Sequence, residues 1–194
     1  SHILLGRYLA DQMSEVYSLQ QHRKAFCLGN IMPDLRPSFL TTRHEFFGTF
    51  SQLQEKMREL IERNPEEDNA RVYWRRFGEV MHYMADYFTF PHNRTYKGSL
   101  AEHNSYEAEL KNCLKECILS GNADSQLEEA KHFDSFEELV GYIRERHACY
   151  LESPRCIADD IRFILRVCYQ VIQGIFQLCL RRQFHMEGRP VTAI

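Results

Sequence analysis

The stretch from His82 to Glu107, HYMADYFTFPHNRTYKGSLAEHNSYE, carries three histidines, an aspartate and a glutamate at spacings a metal site can use. His82 and Asp86 are four residues apart, as are His103 and Glu107, and His92 stands between the pairs just after Pro91. Residues four apart on an α-helix project from one face, so each pair can converge on a point. Neutral imidazole and carboxylate suit Zn²⁺, and few protein ligands per ion leave room for water or substrate. A carboxylate has two oxygens, so Asp86 could bridge two ions about 3.5–4 Å apart, the spacing of two-metal hydrolases. Such ions lower the pKa of bound water toward about 7 and neutralise the oxyanions of a phosphodiester.

Three further residues extend this set to eight candidates. His2 begins the first helix, Asp34 sits in the Pro33-Asp34 loop, and His44 lies at the start of a later helix. A backbone amine near residue 1 could add a donor. Asp34 could also orient or deprotonate an attacking water. The plainer alternative is a set of unrelated polar residues. With nine histidines and 27 acidic residues, about one His-x3-acid pair is expected by chance, so a single pair would mean little. Here two pairs fall on successive helices with a third histidine in the connection. His22, His132, His147 and His185 lack such partners and are read as non-ligands. Cys113 and Cys117 are also four apart, and small buried thiols are the simpler account of them.

The elements that must position these residues are helical. Residues 3 to 19 show an apolar stripe through Leu4, Leu5, Tyr8, Leu9, Met13, Val16 and Leu19, and predict one helix. A short helix over 20 to 28 ends at Gly29, and GNIMPDLRPSF reads as a packed irregular loop. Helices follow over 43 to 63 and 69 to 90, the latter stopped by the step into Pro91. Ser99 with Glu102 predicts a capping box opening a helix to 119, and SGNADS reads as a turn. Ser135 with Glu138 opens another helix, and Pro154 precedes a long last one to about 182, with an extended tail. No alternating run suggests a sheet, and no repeat or linker divides the chain. The pattern is that of one all-α domain over residues 1–194.

A net charge of −3 offers no long-range attraction to nucleic acid or anionic lipid, which argues against binding through a broad basic surface. Seven scattered cysteines without a CxxC pair suggest a reducing compartment. With no secretory signal in view, a cytoplasmic location is expected, and a secreted one stays open. The longest uncharged run, residues 167 to 180, reads as too short and too polar to span a bilayer, while transient membrane contact is compatible with the sequence.

In this order the residues resemble the zinc-dependent phospholipase C family, whose fold is shared with zinc-dependent single-strand nucleases. The resemblance rests on the early His2, Pro33-Asp34, His44, His82-xxx-Asp86-x5-His92 and His103-xxx-Glu107, spanning residues 2 to 107. It implies two to three zinc ions. Asp34, His44, His82 and Asp86 would hold the first, and His92, His103 and Glu107 the second, more exposed one. His2 and the bridging Asp86 would hold the third, with Asp34 as general base. Secreted members place a processed N-terminal Trp on the third ion, and Ser1 stands at that position here. Choline-cleaving members carry an aromatic after the loop aspartate, where this chain has Leu35. No C-terminal lipid-binding sandwich domain is expected to follow. The implied activity is a phosphodiesterase of the phospholipase C type, cleaving a phospholipid or related phosphodiester on the diacylglycerol side. A nuclease or phosphatase on the same fold is one alternative, with Tyr83, Phe88, Phe90 and Tyr96 as base-stacking candidates. A helical protein that keeps metals without turnover is the other. The oligomeric state is not legible in the sequence.

Overall fold

Two glycines set the centre of the molecule. A Cβ on Gly29 would lie 2.0 Å from the Arg75 carbonyl oxygen, and one on Gly78 would lie 2.1 Å from that of Phe26. Only glycine at both positions lets two helix backbones approach this closely. The computed structural model describes residues 1–35, 45–63, 65, 69–154 and 156–186, with the last two as backbone only.

Among these residues the secondary structure is helical, in the order α1 His2–Gln12, α2 Tyr17–Gln21, α3 Arg23–Gly29, α4 Met32–Leu35, α5 Phe46–Glu62 and α6 Ala70–Tyr87. A 3₁₀ turn over Phe90–His92 leads to α7 Leu100–Leu119, α8 Asn122–Gln126, α9 Phe136–Glu152 and α10 Ile157–Met186. No strand occurs among the described residues. The all-α expectation holds.

The central helix is α6. Nearly every residue from Phe77 to Tyr87 is buried, whichever way it points, the mark of a helix surrounded by others. It packs against α1, α3, α4, α5 and α10. Its N-terminus is fixed locally, with the Asn69 side chain accepting from the Val72 amide. The capping box at Ser99 and Glu102 and the cap at Ser135 are present as expected. In α10 the buried Ile161, Ile164, Leu165, Cys168, Val171, Ile172, Ile175 and Leu178 recur every three or four residues and complete the core. Cys113 and Cys117 pack against that core but are half-buried rather than buried.

Several expectations are corrected. The stripe from Leu4 to Leu19 is two helices, because α1 stops at Met13 and the Gln20 side chain donates to the freed Ala10 and Met13 carbonyls. Asp34 lies on the short helix α4, not in an irregular loop. The run around Asn122 is a short helix, and α10 continues to Met186 where an extended tail was expected. Residues 157–184 are also long and apolar enough to cross a membrane by length and composition, although most of that stretch is buried inside the protein. The tail beyond 186 lies outside the described residues.

Candidate metal centre

Each side chain of the site is carried by a different local device. His82 and Asp86 project from one face of α6, and His82 Nε2 lies 3.1 Å from Asp86 Oδ2. α1 places His2 beside them, its Nε2 at 3.2 Å from Asp86 Oδ1 and its ring centroid 4.0 Å from that of His82. α4 brings Asp34 to the rim, 3.4 Å from His82 Nε2 and 4.0 Å from His2 Nε2. His2, His82 and Asp86 form a deep cluster, with Asp34 at its exposed edge.

The shallow cluster is built from shorter pieces. The 3₁₀ turn carries His92, and the first turns of α7 carry His103 and Glu107. Glu107 Oε1 lies 3.0 Å from His92 Nε2 and 2.9 Å from His103 Nε2. The two clusters meet at Asp86, whose Oδ1 is 3.8 Å from His92 Nε2. His82 and Asp86 are buried, whereas the Glu107 side chain is 40% exposed.

Second contacts hold the rings. The close crossing at Gly29 and Gly78 brings the end of α3 against α6, and His82 Nδ1 lies 2.9 Å from the Asn30 carbonyl oxygen. That bond places the proton on Nδ1 and leaves Nε2 to face the cluster. Asn30 is itself buried, donating from its amide to the Phe26 carbonyl. Behind His92, the Asn93 amide donates to the Tyr87 and Thr89 carbonyls, and its carbonyl oxygen lies 3.2 Å from His147 Nε2. His147 is stacked on Phe46; burial pushes its pKa down to about 4. It supports the turn from outside the clusters, in line with its reading as a non-ligand.

The electrostatics set burial against the mutual attraction of imidazoles and carboxylates. Burial opposes the charge on Asp86, but His92, His82 and His2 outweigh it and hold the carboxyl well below its ordinary value. Burial likewise opposes the charge on His92, but Asp86 and Glu107 lift its pKa to about 9. Glu107 is held down at about 2 against burial by His92 and His103. His2 is lowered by burial and by neighbouring His82, and its buried Nδ1 has no hydrogen-bond partner. Four imidazoles facing three carboxylates, at 2.9–4.0 Å, fit a set of hard and borderline metal ligands.

Seven of the eight sequence candidates therefore converge, and His44 lies outside the described residues. Among the described residues, two groups meet the spacing for a bound ion, His2 with His82 and Asp86, and His92 with His103 and Glu107. Of the base-stacking candidates, Phe88 is fully buried in the core, and Tyr96 lies beside His103, with centroids 6.1 Å apart. Residue patterning missed Asn30 and Gly78. A glycine inside an otherwise strong helix was the available signal for the latter.

An all-α bundle with two histidine–carboxylate clusters joined by one buried aspartate fits the residue requirements of a metal-binding helical protein. The model of the family described as zinc dependent phospholipase C matches residues 1–157, and the chain belongs to that family. That span takes in all eight candidates. Neither the curated proteins nor the solved structures yield a match.

Proposed function

We propose that the chain hydrolyses a phospholipid or closely related phosphodiester as a zinc-dependent phospholipase C, with Asp34, His2, His82, Asp86, His92, His103 and Glu107 as ligands. His44 is a further ligand in this reading. The position of Asp86 carries it. One oxygen faces His82 and the other faces His2 and His92, so a single buried carboxylate serves both clusters. When bound, zinc supplies Lewis acidity toward phosphoryl oxygens and acidifies water toward neutrality. The buried imidazoles orient the ligand shell and exclude bulk water. The rim position of Asp34, 38% exposed and within 3.4 Å of His82 Nε2, suits it to take a proton from the attacking water. His2 and Asp86, 3.2 Å apart, are the residues that would hold a third ion.

Leu35 is 70% exposed beside Asp34, and Leu100 is 76% exposed three residues before His103. They offer apolar contact to a lipid surface near the ligand-bearing segments. Leu35 has no π face for a quaternary ammonium, so no preference for choline is expected. The cysteines are all free thiols, which supports a cytoplasmic location.

The test is hydrolysis of choline, ethanolamine, glycerol and inositol phospholipids beside single-stranded nucleic acid. Release of the phosphorylated head group, lost in Asp34→Asn with zinc retained, supports the reading. Turnover of nucleic acid alone, or unchanged turnover in Asp34→Asn, overturns the substrate or the base respectively.

A further inference from the structure

The shallow cluster has no long helix face of its own, yet its two segments are tied to one buried carboxylate. Asp160, in the first turn of α10, is fully buried. Its Oδ2 accepts from the Phe90 backbone N–H at 2.9 Å and from the Tyr106 hydroxyl at 2.8 Å. Its Oδ1 accepts from the Tyr150 hydroxyl at 2.7 Å. Phe90 begins the 3₁₀ turn that carries His92, and Tyr106 directly precedes Glu107. Tyr150 belongs to α9. One side chain on the last helix thus joins the turn with the first imidazole, the helix with the other two ligands, and a third helix behind both. Burial raises the Asp160 pKa to about 6, against the three donors, so an acid is kept where it is poorly solvated.

We infer that Asp160 is the positioning residue of the shallow metal site, an acceptor that fixes the 3₁₀ turn and α7 so that His92, His103 and Glu107 stay convergent. Its hydrogen bonds go to Phe90, Tyr106 and Tyr150 rather than to a ligand side chain, so it is not a catalytic residue. It also lies past residue 157, where the family match ends, so this part of the site is supplied by α10. The inference rests on the reading of His92, His103 and Glu107 as metal ligands. What Asp160 provides is acceptor geometry. An asparagine there would accept from Phe90 N–H and the Tyr106 hydroxyl through its oxygen, and donate through its amide to the Tyr150 hydroxyl, which can also accept.

The experiment is calorimetric titration of Zn²⁺ into metal-stripped full chain, with the binding class missing in His103→Ala taken as the shallow cluster. Asp160→Ala should weaken that class about 10–100-fold, the scale for a lost outer-shell partner, and leave the deep class within about threefold. Asp160→Asn should restore the shallow class to within about threefold of the native protein. Tyr106→Phe, which deletes one hydroxyl and spares the fold, should weaken the same class about 2–10-fold. Equal weakening of both classes by Asp160→Ala, no weakening of either, or an Asp160→Asn as weak as Asp160→Ala overturns the inference. If Asp160→Ala does not fold, an unchanged shallow class in Tyr106→Phe overturns it too. A native chain that takes up no zinc sinks the ligand reading itself, whereas two intact classes in Asp160→Ala sink only the role of Asp160.

Discussion

The deep and shallow clusters use the same residue types and differ in what holds them. The deep one hangs on α6, the most buried helix among the described residues, and its His82 ring is fixed by a backbone carbonyl delivered by a glycine–glycine helix crossing. The shallow one sits on a 3₁₀ turn and on the open end of α7, a helix with only Leu110 and Leu114 buried. Its order comes from contacts made by other elements, through Asp160 and through Asn93 with His147. Under the proposed zinc reading, a rigid site joined through one carboxylate to a more exposed one predicts that one ion stays and the other exchanges.

The largest expected effect comes from removing what the clusters share. Asp86→Ala deletes the carboxylate facing His2, His82 and His92 at once. Phospholipid hydrolysis should fall at least about a thousandfold, the scale of losing a main electrostatic stabiliser, and zinc content should drop in both clusters. Retention of either full activity or full zinc would break the idea of a common carboxylate. A step down is Gly78→Ala. Its Cβ would meet the Phe26 carbonyl oxygen at 2.1 Å, and the overpacking should lower unfolding free energy by about 1–3 kcal/mol. Chemical denaturation reads that loss, and zinc titration should show the deep class weakened with the shallow class intact. A variant as stable as the native chain would mean the crossing relaxes freely.

How much of this contrast could be read from the sequence follows from how each residue gets to its place. His82 with Asp86 and His103 with Glu107 were legible because a four-residue spacing on a helix is a local fact. The all-α class, the caps at Ser99 and Ser135, and the end of α6 before Pro91 are local for the same reason. His2 and Asp34 were legible only through their order along the chain, since nothing local brings α1 or α4 to α6. Asn30, Gly78 and Asp160 act through contacts 52 to 70 residues away in sequence, or through a helix crossing. No periodicity encodes such contacts. The break after Met13 was missed for a related reason. The carbonyls it frees are capped by the Gln20 side chain, so the apolar stripe runs on through a helix that does not.

A smaller effect sharpens the difference between the clusters through pH. In the metal-free chain His92 stays protonated up to about pH 9 because Asp86 and Glu107 overcome its burial. A ligand histidine must release that proton. Zinc affinity of the shallow class should therefore rise about tenfold per pH unit between 7 and 9 and level off above. Titrations in buffers of different ionisation enthalpy would count the proton. For the metal-free fold the sign is opposite. A pKa raised from 6.5 to about 9 contributes stability that is complete below about pH 6.5 and is lost as pH climbs through about 9. A shallow-class affinity independent of pH over this range would remove His92 from the ligand set.

The most direct measurement is zinc per chain in protein purified without chelator, for the native sequence, His82→Ala and His103→Ala. Two clusters that each hold an ion predict at least two zinc in the native protein. The two variants should each lose zinc, with the His103→Ala loss confined to the ion that a mild chelator strips first from the native chain. A native protein free of zinc, or one whose zinc survives both substitutions, would contradict the account.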